Sequence, residues 1–207
     1  MLLGAPDAAR WLRPGTAFAQ APEHWIYPAQ TLLCGALLAV FWRQYPLRRP
    51  ARVVFTIAIA LLIFVLWIAP QVFFHAAARR EGFDPTFFEK NRPLFFAVLA
   101  MRFARLVIVV PLIEEIFWRG FLLRFFIAED FENVRLGAYS HFSFAAVTLG
   151  FMLEHQRADW PAALLAGALF NAIAYHTKNL TSCVLAHAVT NALLGVYIVQ
   201  TRQWGFW

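Results

Sequence analysis

The stretch Val-Val-Pro-Leu-Ile-Glu-Glu-Ile-Phe-Trp-Arg-Gly, residues 109–120, decides how this chain can fold. It contains two adjacent carboxylates, Glu114 and Glu115, and the guanidinium of Arg119. All three lie inside an apolar run that covers residues 94–127. A charged side chain at membrane depth costs about 2.5–3.5 kcal/mol on insertion scales, so such residues are usually retained for function. The stretch therefore predicts a functional site inside a membrane-spanning helix.

Spacing within this stretch assigns partners to the charged residues. Side chains four positions apart share one helical face, so Arg119 is expected to form an ion pair with Glu115. Glu114 is rotated by about 100° from Glu115 and is left free to face a cavity. Pro111 removes a backbone donor and is expected to kink or restart the helix. Broken helices inside a membrane usually line cavities, so a cavity is predicted beside Glu114.

The composition places the chain in a membrane. Of its 207 residues, 61% are hydrophobic and 14% are charged, whereas soluble domains carry about 25% charged residues. A bilayer core of about 30 Å needs about 20 apolar residues for each crossing. The apolar segments predicted as spans are residues 25–42, 53–74, 94–127, 142–155, 160–175 and 180–200.

These spans predict an all-α fold, a polytopic membrane helix bundle with six to eight transmembrane helices. The third span is either one overlong helix or two helices broken near Pro111. No linker is long enough to separate two units, so residues 1–207 are expected to form a single integral membrane domain. The first 24 residues lack the apolar core of a cleaved signal peptide and are expected to lie at the membrane interface.

The formal charge of +6 requires no nucleic acid partner. Four arginines crowd the short loop between the first two spans, which is the pattern of a cytoplasmic loop under the positive-inside rule. They are Arg43, Arg48, Arg49 and Arg52. The chain is therefore expected to be surrounded by lipid bilayer, with this loop in the cytoplasm.

Two further pairs of polar or aromatic residues lie four positions apart. Phe151 and His155 end the fourth span, and His187 and Asn191 lie within the last span. Each pair is predicted to share one helical face, turned toward protein or water and away from lipid. The alternative is that such residues only join helices, at about 0.6 kcal/mol for each hydrogen bond.

Other polar residues of the spans are assigned structural roles. The first two spans contain no acid or base and are interpreted as scaffold. Asn171 and Tyr175 form another pair four positions apart and are interpreted as mainly structural. Glu154 directly precedes His155, and the sequence does not fix the direction of its side chain.

Three elements stand in order along the chain: Glu114-Glu115 with Arg119, then Phe151 with His155, then His187 with Asn191. This order resembles the CAAX prenyl endopeptidase and bacteriocin-processing (Abi) family of intramembrane glutamic proteases. The resemblance covers about residues 94–200, the predicted protease-like core. Residues 82–85 and the last span also resemble the branch found beside bacterial exosortase sorting systems.

The resemblance implies a function for each element. Glu114 and His155 would activate water, while His187 and Asn191 would stabilise the oxyanion. Glu115, Arg119 and Phe151 would support these four residues. The family branch further implies a multi-pass protein of the bacterial inner membrane, a membrane-associated protein or peptide substrate and a partner from a sorting system.

The resemblance implies no cofactor and no metal. Zinc is the alternative, because Glu114, His155 and His187 could supply three ligands and leave a fourth position open. The sequence lacks the His-Glu-x-x-His helix motif of zinc peptidases.

The leading hypothesis for function is an intramembrane endopeptidase that hydrolyses a peptide bond with a glutamate-activated water. One alternative is a non-catalytic membrane scaffold or binding protein of a protein-sorting or immunity system. Another is a small proton-coupled transporter that uses the buried carboxylates as a relay. Transporters commonly contain inverted repeats, and no internal repeat is visible in this sequence.

Overall fold

The computed structural model describes residues 23–76 and 82–207, and this part of the chain contains helices and no strands. We number its six main helices in chain order. They are α1 (Glu23–Val40), α2 (Val53–Val72), α3 (Arg92–Phe125), α4 (His141–Glu154), α5 (Trp160–Thr177) and α6 (Leu180–Thr201). The all-α prediction is confirmed, and every predicted span boundary lies within two residues of the observed helix end. The interfacial segment predicted for the first residues lies outside the described part, except for the start of α1.

Three of the described helices are long and apolar enough to cross a membrane: α2, α3 and α6, with mean hydropathy of 2.8, 2.2 and 1.7. The α4 helix has only 14 residues, which span about 21 Å at the α-helical rise. Large side chains exposed along these helices, such as Val54 and Ile108, are apolar. The chain therefore forms an all-α membrane bundle in which long spanning helices stand beside shorter ones.

The α3 helix is continuous through Pro111, which decides between the two predicted alternatives. Its α-helical segment Val110–Glu115 lies between two wider π-helical segments, Arg105–Val109 and Ile116–Leu122. In the first of these, the Val110 N–H donates to the carbonyl of Arg105, five residues back. A wider turn changes the local hydrogen-bond ladder around the proline, which would otherwise interrupt a regular helix.

The α6 helix lies at the centre of the bundle and contacts α2, α3 and α5. One hydrophobic core joins side chains from α2 to α6, including Ile63, Val147, Phe170 and Ala186. The small residue Gly167 allows α5 to approach α4 closely, because a Cβ atom there would lie 3.3 Å from both the Phe151 ring and the Thr148 carbonyl. The close approach of α4 and α5 helps to bring the polar pairs of α4 and α6 together beside α3.

The end of the described chain packs back onto the loop before α3. The Phe83 N–H donates to the Trp207 carbonyl at 3.0 Å, and a Cβ atom at Gly82 would overlap the backbone of Trp204. This packing fixes the short turn Trp204–Phe206 beside the end of α6. It also places Phe206 and Trp207 at the wall of the cavity described next.

Candidate active site

A cavity of about 290 Å³ lies among α2, α3, α4, α5 and α6. All four residues predicted to be catalytic line it: Glu114, His155, His187 and Asn191. Glu154 lines it as well, which gives the direction that the sequence left open. The structure thus brings together side chains from α3, from α6 and from the end of α4, separated by up to 77 residues of sequence.

The Glu115–Arg119 ion pair predicted from the spacing is present. The Arg119 guanidinium donates to Glu115 Oε1 at 3.0 Å, and both side chains are fully buried. Arg119 also donates to Asn171 Oδ1 at 3.0 Å and to the Gly167 carbonyl at 3.1 Å. Because a buried charge needs both a counter-ion and hydrogen bonds, these contacts explain how an arginine is accommodated inside the bundle.

Two residues of α5 support the site more directly than the sequence indicated. Asn171 joins Arg119 to α4, since its Nδ2 donates to Thr148 Oγ1 at 3.1 Å. Phe170 lies on one side of the guanidinium and Phe151 on another, with ring centroids 5.1 and 5.0 Å from the Arg119 carbon. Asn171 has a structural role, as predicted, and this role is to hold Arg119 in the site. The sequence does not distinguish Phe170 from the other apolar residues on the buried face of α5.

His187 lies between the two glutamates. Its Nδ1 is 2.9 Å from Glu115 Oε1 and its Nε2 is 3.9 Å from Glu114 Oε2. Because Glu115 is paired with Arg119, its carboxylate accepts, and Nδ1 therefore carries a proton. The ring stacks on Phe170 with a centroid distance of 4.9 Å and an angle of 30° between the planes. These contacts fix both the orientation and the tautomer of the imidazole.

This geometry limits how His187 can stabilise an oxyanion. That role requires a ring N–H directed into the cavity. The N–H of the neutral ring is already used by Glu115, so Nε2 is then an acceptor. Only the imidazolium form of His187 can donate from Nε2 toward the cavity.

Glu114 is the carboxylate that faces the cavity. Its side chain is 23% exposed, whereas that of Glu115 is fully buried. Within the part of the chain that the structure describes, no direct hydrogen bond joins Glu114 to His155. The two side chains line one cavity, so a water molecule between them is the means by which they could act together.

His155 is held differently from the prediction, which placed it on the helix. It lies just beyond the last residue of α4, with extended backbone at ψ 164°. The contact with Phe151 persists, because the ring centroids are 4.8 Å apart and His155 Nδ1 is 2.8 Å from the Phe151 carbonyl. A carbonyl only accepts, so Nδ1 is the donor and Nε2 of the neutral ring is the acceptor.

The second span is more than scaffold, which corrects the prediction for it. Trp67 of α2 packs edge-on against His155, with ring centroids 5.2 Å apart. Ile63 and Trp67 both line the cavity. Thr190 of α6 donates to the Ala60 carbonyl at 3.1 Å and so fixes α2 against the site. Sequence could not show this contribution, because apolar wall residues look like any other membrane helix.

Asn191 is held by a carbonyl that the helix itself leaves unused. In a regular α-helix the Leu106 carbonyl would accept from Val110, but that N–H donates to Arg105. The next candidate donor is residue 111, a proline without an N–H. Asn191 Nδ2 donates to the Leu106 carbonyl at 2.8 Å instead. A side-chain amide carries two N–H groups, so one remains for a ligand in the cavity.

The geometry gives one observation that fits the zinc alternative and one that does not. Both histidines use Nδ1 for a carboxylate or carbonyl, an arrangement that metal-bound histidines also show. However, among residues 23–76 and 82–207, no group of three or more His, Cys, Asp or Glu side chains is close enough to hold a metal ion. The predicted set of Glu114, His155 and His187 is therefore not assembled as a ligand group.

A helical membrane bundle whose cavity collects a carboxylate, two histidines and an amide has the parts of an intramembrane protease. Residues 96–193 match the family model described as Type II CAAX prenyl endopeptidase Rce1-like. The match begins in α3, ends in α6 and contains every predicted site residue. It covers 98 of the 207 residues and confirms the resemblance to CAAX prenyl endopeptidases. Neither curated proteins nor solved structures gave a significant match.

Proposed function

We propose that this chain cleaves a peptide bond of a membrane-associated protein with a water molecule activated by Glu114 and His155. One observation carries the proposal: Glu114, His155, His187 and Asn191 line one cavity, and all four lie within the family-matched residues 96–193. The Glu114 carboxylate faces the cavity and makes only a long contact of 3.9 Å with His187 Nε2, so it is suited to accept a proton from water. The neighbouring carboxylate, Glu115, is occupied by Arg119 and is therefore not the base.

The reaction follows from these positions. Glu114, assisted by Nε2 of His155, takes a proton from water while the water oxygen bonds to the carbonyl carbon of the substrate. The carbonyl oxygen becomes an oxyanion, and the proton is then delivered to the leaving nitrogen as the C–N bond breaks. The products are one fragment with a new carboxylate and one with a new amine.

The oxyanion needs donors that are already in place. Asn191 supplies its second amide N–H, the one that does not donate to the Leu106 carbonyl. His187 supplies Nε2–H only when its ring is protonated, since the Nδ1–H is used by Glu115. Glu115 and Arg119 are therefore positioning residues, which act through His187 and touch no reacting atom.

The walls of the cavity indicate the class of substrate. Apart from the four site residues and the polar side chains of Glu154, Gln156, Asp159 and Thr190, the walls consist of apolar and aromatic side chains such as Trp67, Leu194 and Phe206. Such walls suit an extended peptide with apolar side chains, presented from the membrane. A membrane-associated protein substrate fits this lining.

The test compares the membrane proteomes of cells that carry wild type or Glu114→Gln. Precursors that accumulate with the variant, and new carboxyl termini that disappear, are expected and would identify the substrate. Glu129→Gln is the matched control, since it makes the same change at an exposed loop position outside the cavity. Identical proteomes for Glu114→Gln and wild type would favour the alternative, a non-catalytic membrane scaffold or binding protein.

A further inference from the structure

A second cavity of about 370 Å³ opens between the loop after α1 and helices α3 and α6. It shares no lining residue with the active-site cavity. We call it the lateral groove and define it by Trp42, Leu47, Ile108, Leu112 and Val184 along its walls and by Arg48 at its polar end. Ile108 is 57% exposed on a membrane-spanning helix. The groove is therefore open toward lipid.

The loop that bears Arg48 is strongly basic. Residues 41–52 include Arg43, Arg48, Arg49 and Arg52 and contain no Asp or Glu. All four arginines are exposed. Among the residues that the structure describes, none of the ion pairs includes any of them. Within residues 23–76 and 82–207, this loop thus presents several positive charges that no acidic side chain neutralises.

Hydrogen bonds hold the basic loop against the start of α6. The Asn179 side chain donates to the Arg49 carbonyl at 2.8 Å, and the Arg48 N–H donates to Thr181 Oγ1 at 3.0 Å. Ser182 Oγ both accepts from Ala51 N–H and donates to its carbonyl, each at 2.9 Å. The backbone that carries the arginines is consequently fixed at the end of the groove before any ligand binds. A pre-ordered site binds at a lower entropic cost.

We propose that the lateral groove binds an anionic phospholipid. Its phosphate lies against Arg48 and Arg49, and one acyl chain lies along Ile108, Leu112 and Val184. Charge complementarity selects this occupant, because a neutral lipid offers the arginines no net charge. The predicted orientation places the loop at the cytoplasmic leaflet, where anionic lipids attract basic residues and where basic pockets between helices bind their head groups.

The proposal is tested without measuring proteolysis. Purified protein in detergent is titrated with phosphatidylglycerol or phosphatidylcholine of identical acyl chains, and thermal unfolding is followed. We expect phosphatidylglycerol to raise Tm at lower concentration than phosphatidylcholine. For Arg48→Gln, the half-saturating concentration of phosphatidylglycerol should rise about fivefold, as expected for the loss of one basic residue at an anionic lipid surface.

Three controls separate the groove from general lipid effects. Arg202→Gln removes an arginine at the opposite end of α6, where the side chain is 72% exposed, and should keep the preference for phosphatidylglycerol. Val184→Trp fills the groove and should weaken stabilisation by both lipids. Glycerol 3-phosphate alone should not raise Tm. Equal stabilisation by both lipids, an unchanged titration for Arg48→Gln, or stabilisation by free glycerol 3-phosphate would overturn the proposal.

Discussion

Nδ1 of His187 lies 2.9 Å from Oε1 of Glu115, and the same oxygen accepts from Arg119 at 3.0 Å. One carboxylate oxygen of Glu115 thus joins the arginine of α3 to the histidine of α6, and Glu115 and His187 are 72 residues apart in sequence. This contact fixes the His187 tautomer and leaves Nε2 as the ring atom that faces Glu114. The proposed mechanism therefore gives the two adjacent glutamates separate tasks, one structural and one chemical.

Substitutions can test the roles of the two ring nitrogens of His187 separately. An asparagine amide can replace Nδ1 and keep the bond to Glu115, whereas a glutamine amide reaches the position of Nε2. We expect His187→Asn to fold and to lose nearly all activity, and His187→Gln to retain at least about tenfold more, because a donor toward the oxyanion is worth about 10²–10³ in rate. Single-turnover cleavage by folded protein is the measurement. Equal activities would show that Nε2 makes no separate contribution.

Removal of Arg119 should reduce folding yield as well as activity. Arg119→Ala leaves the buried carboxylate of Glu115 without its counter-ion, at a cost of about 3–5 kcal/mol in soluble cores. The double variant Glu115→Gln, Arg119→Met should recover more folded protein than either single variant, though not activity. The monodisperse fraction in gel filtration is the readout, and Arg202→Ala, which changes an exposed pair with Glu89, is the control. Equal yields for the single and double variants would contradict the ion pair.

Pro111 positions Asn191 through the Leu106 carbonyl. Pro111→Ala restores an N–H that can donate to this carbonyl and so compete with Asn191. We expect kcat to fall while KM changes little, and Tm to stay equal or rise, because a helix-interior proline has been removed. Asn191→Ala, which deletes the donor itself, should lose about 10²–10³ in rate. A Pro111→Ala enzyme with wild-type kcat would show that the carbonyl contact has no part in catalysis.

The four arginines in the loop between α1 and α2 predict that this loop lies in the cytoplasm. Gln44→Cys in a Cys34→Ser background should resist an impermeant maleimide in right-side-out vesicles and react after permeabilisation. Arg202→Cys should react without permeabilisation, because α6 starts beside this loop and ends at the opposite side. Labelling of Gln44→Cys in sealed vesicles would reverse the orientation, and the cytoplasmic location of the lateral groove with it.

Local spacing made much of this fold predictable. Long apolar runs gave the helix boundaries, and the four-residue separation of Glu115 and Arg119 gave an ion pair that the structure contains. Both properties depend on residues that are neighbours on one helix. The family resemblance then grouped His155, His187 and Asn191 with Glu114, and all of them line one cavity.

Contacts between helices could not be predicted from the sequence. The face of α6 that carries His187 was predictable, but its partner on α3 depends on helix packing. The π-helical turns around Pro111 leave no periodic signal, so the Leu106 carbonyl could not be foreseen as the partner of Asn191. The four-residue spacing from Phe151 predicts His155 on α4, whereas the helix ends at Glu154.

The central claim is that Glu114 activates water without a metal ion. The most direct measurement is cleavage of an accumulated precursor by reconstituted wild type and Glu114→Gln, each with and without a zinc chelator. We predict that wild type cleaves equally in both conditions, and that Glu114→Gln, with an unchanged gel-filtration profile, yields no product. Stoichiometric zinc that leaves together with activity would contradict the metal-free mechanism, and wild-type cleavage by Glu114→Gln would contradict the site itself.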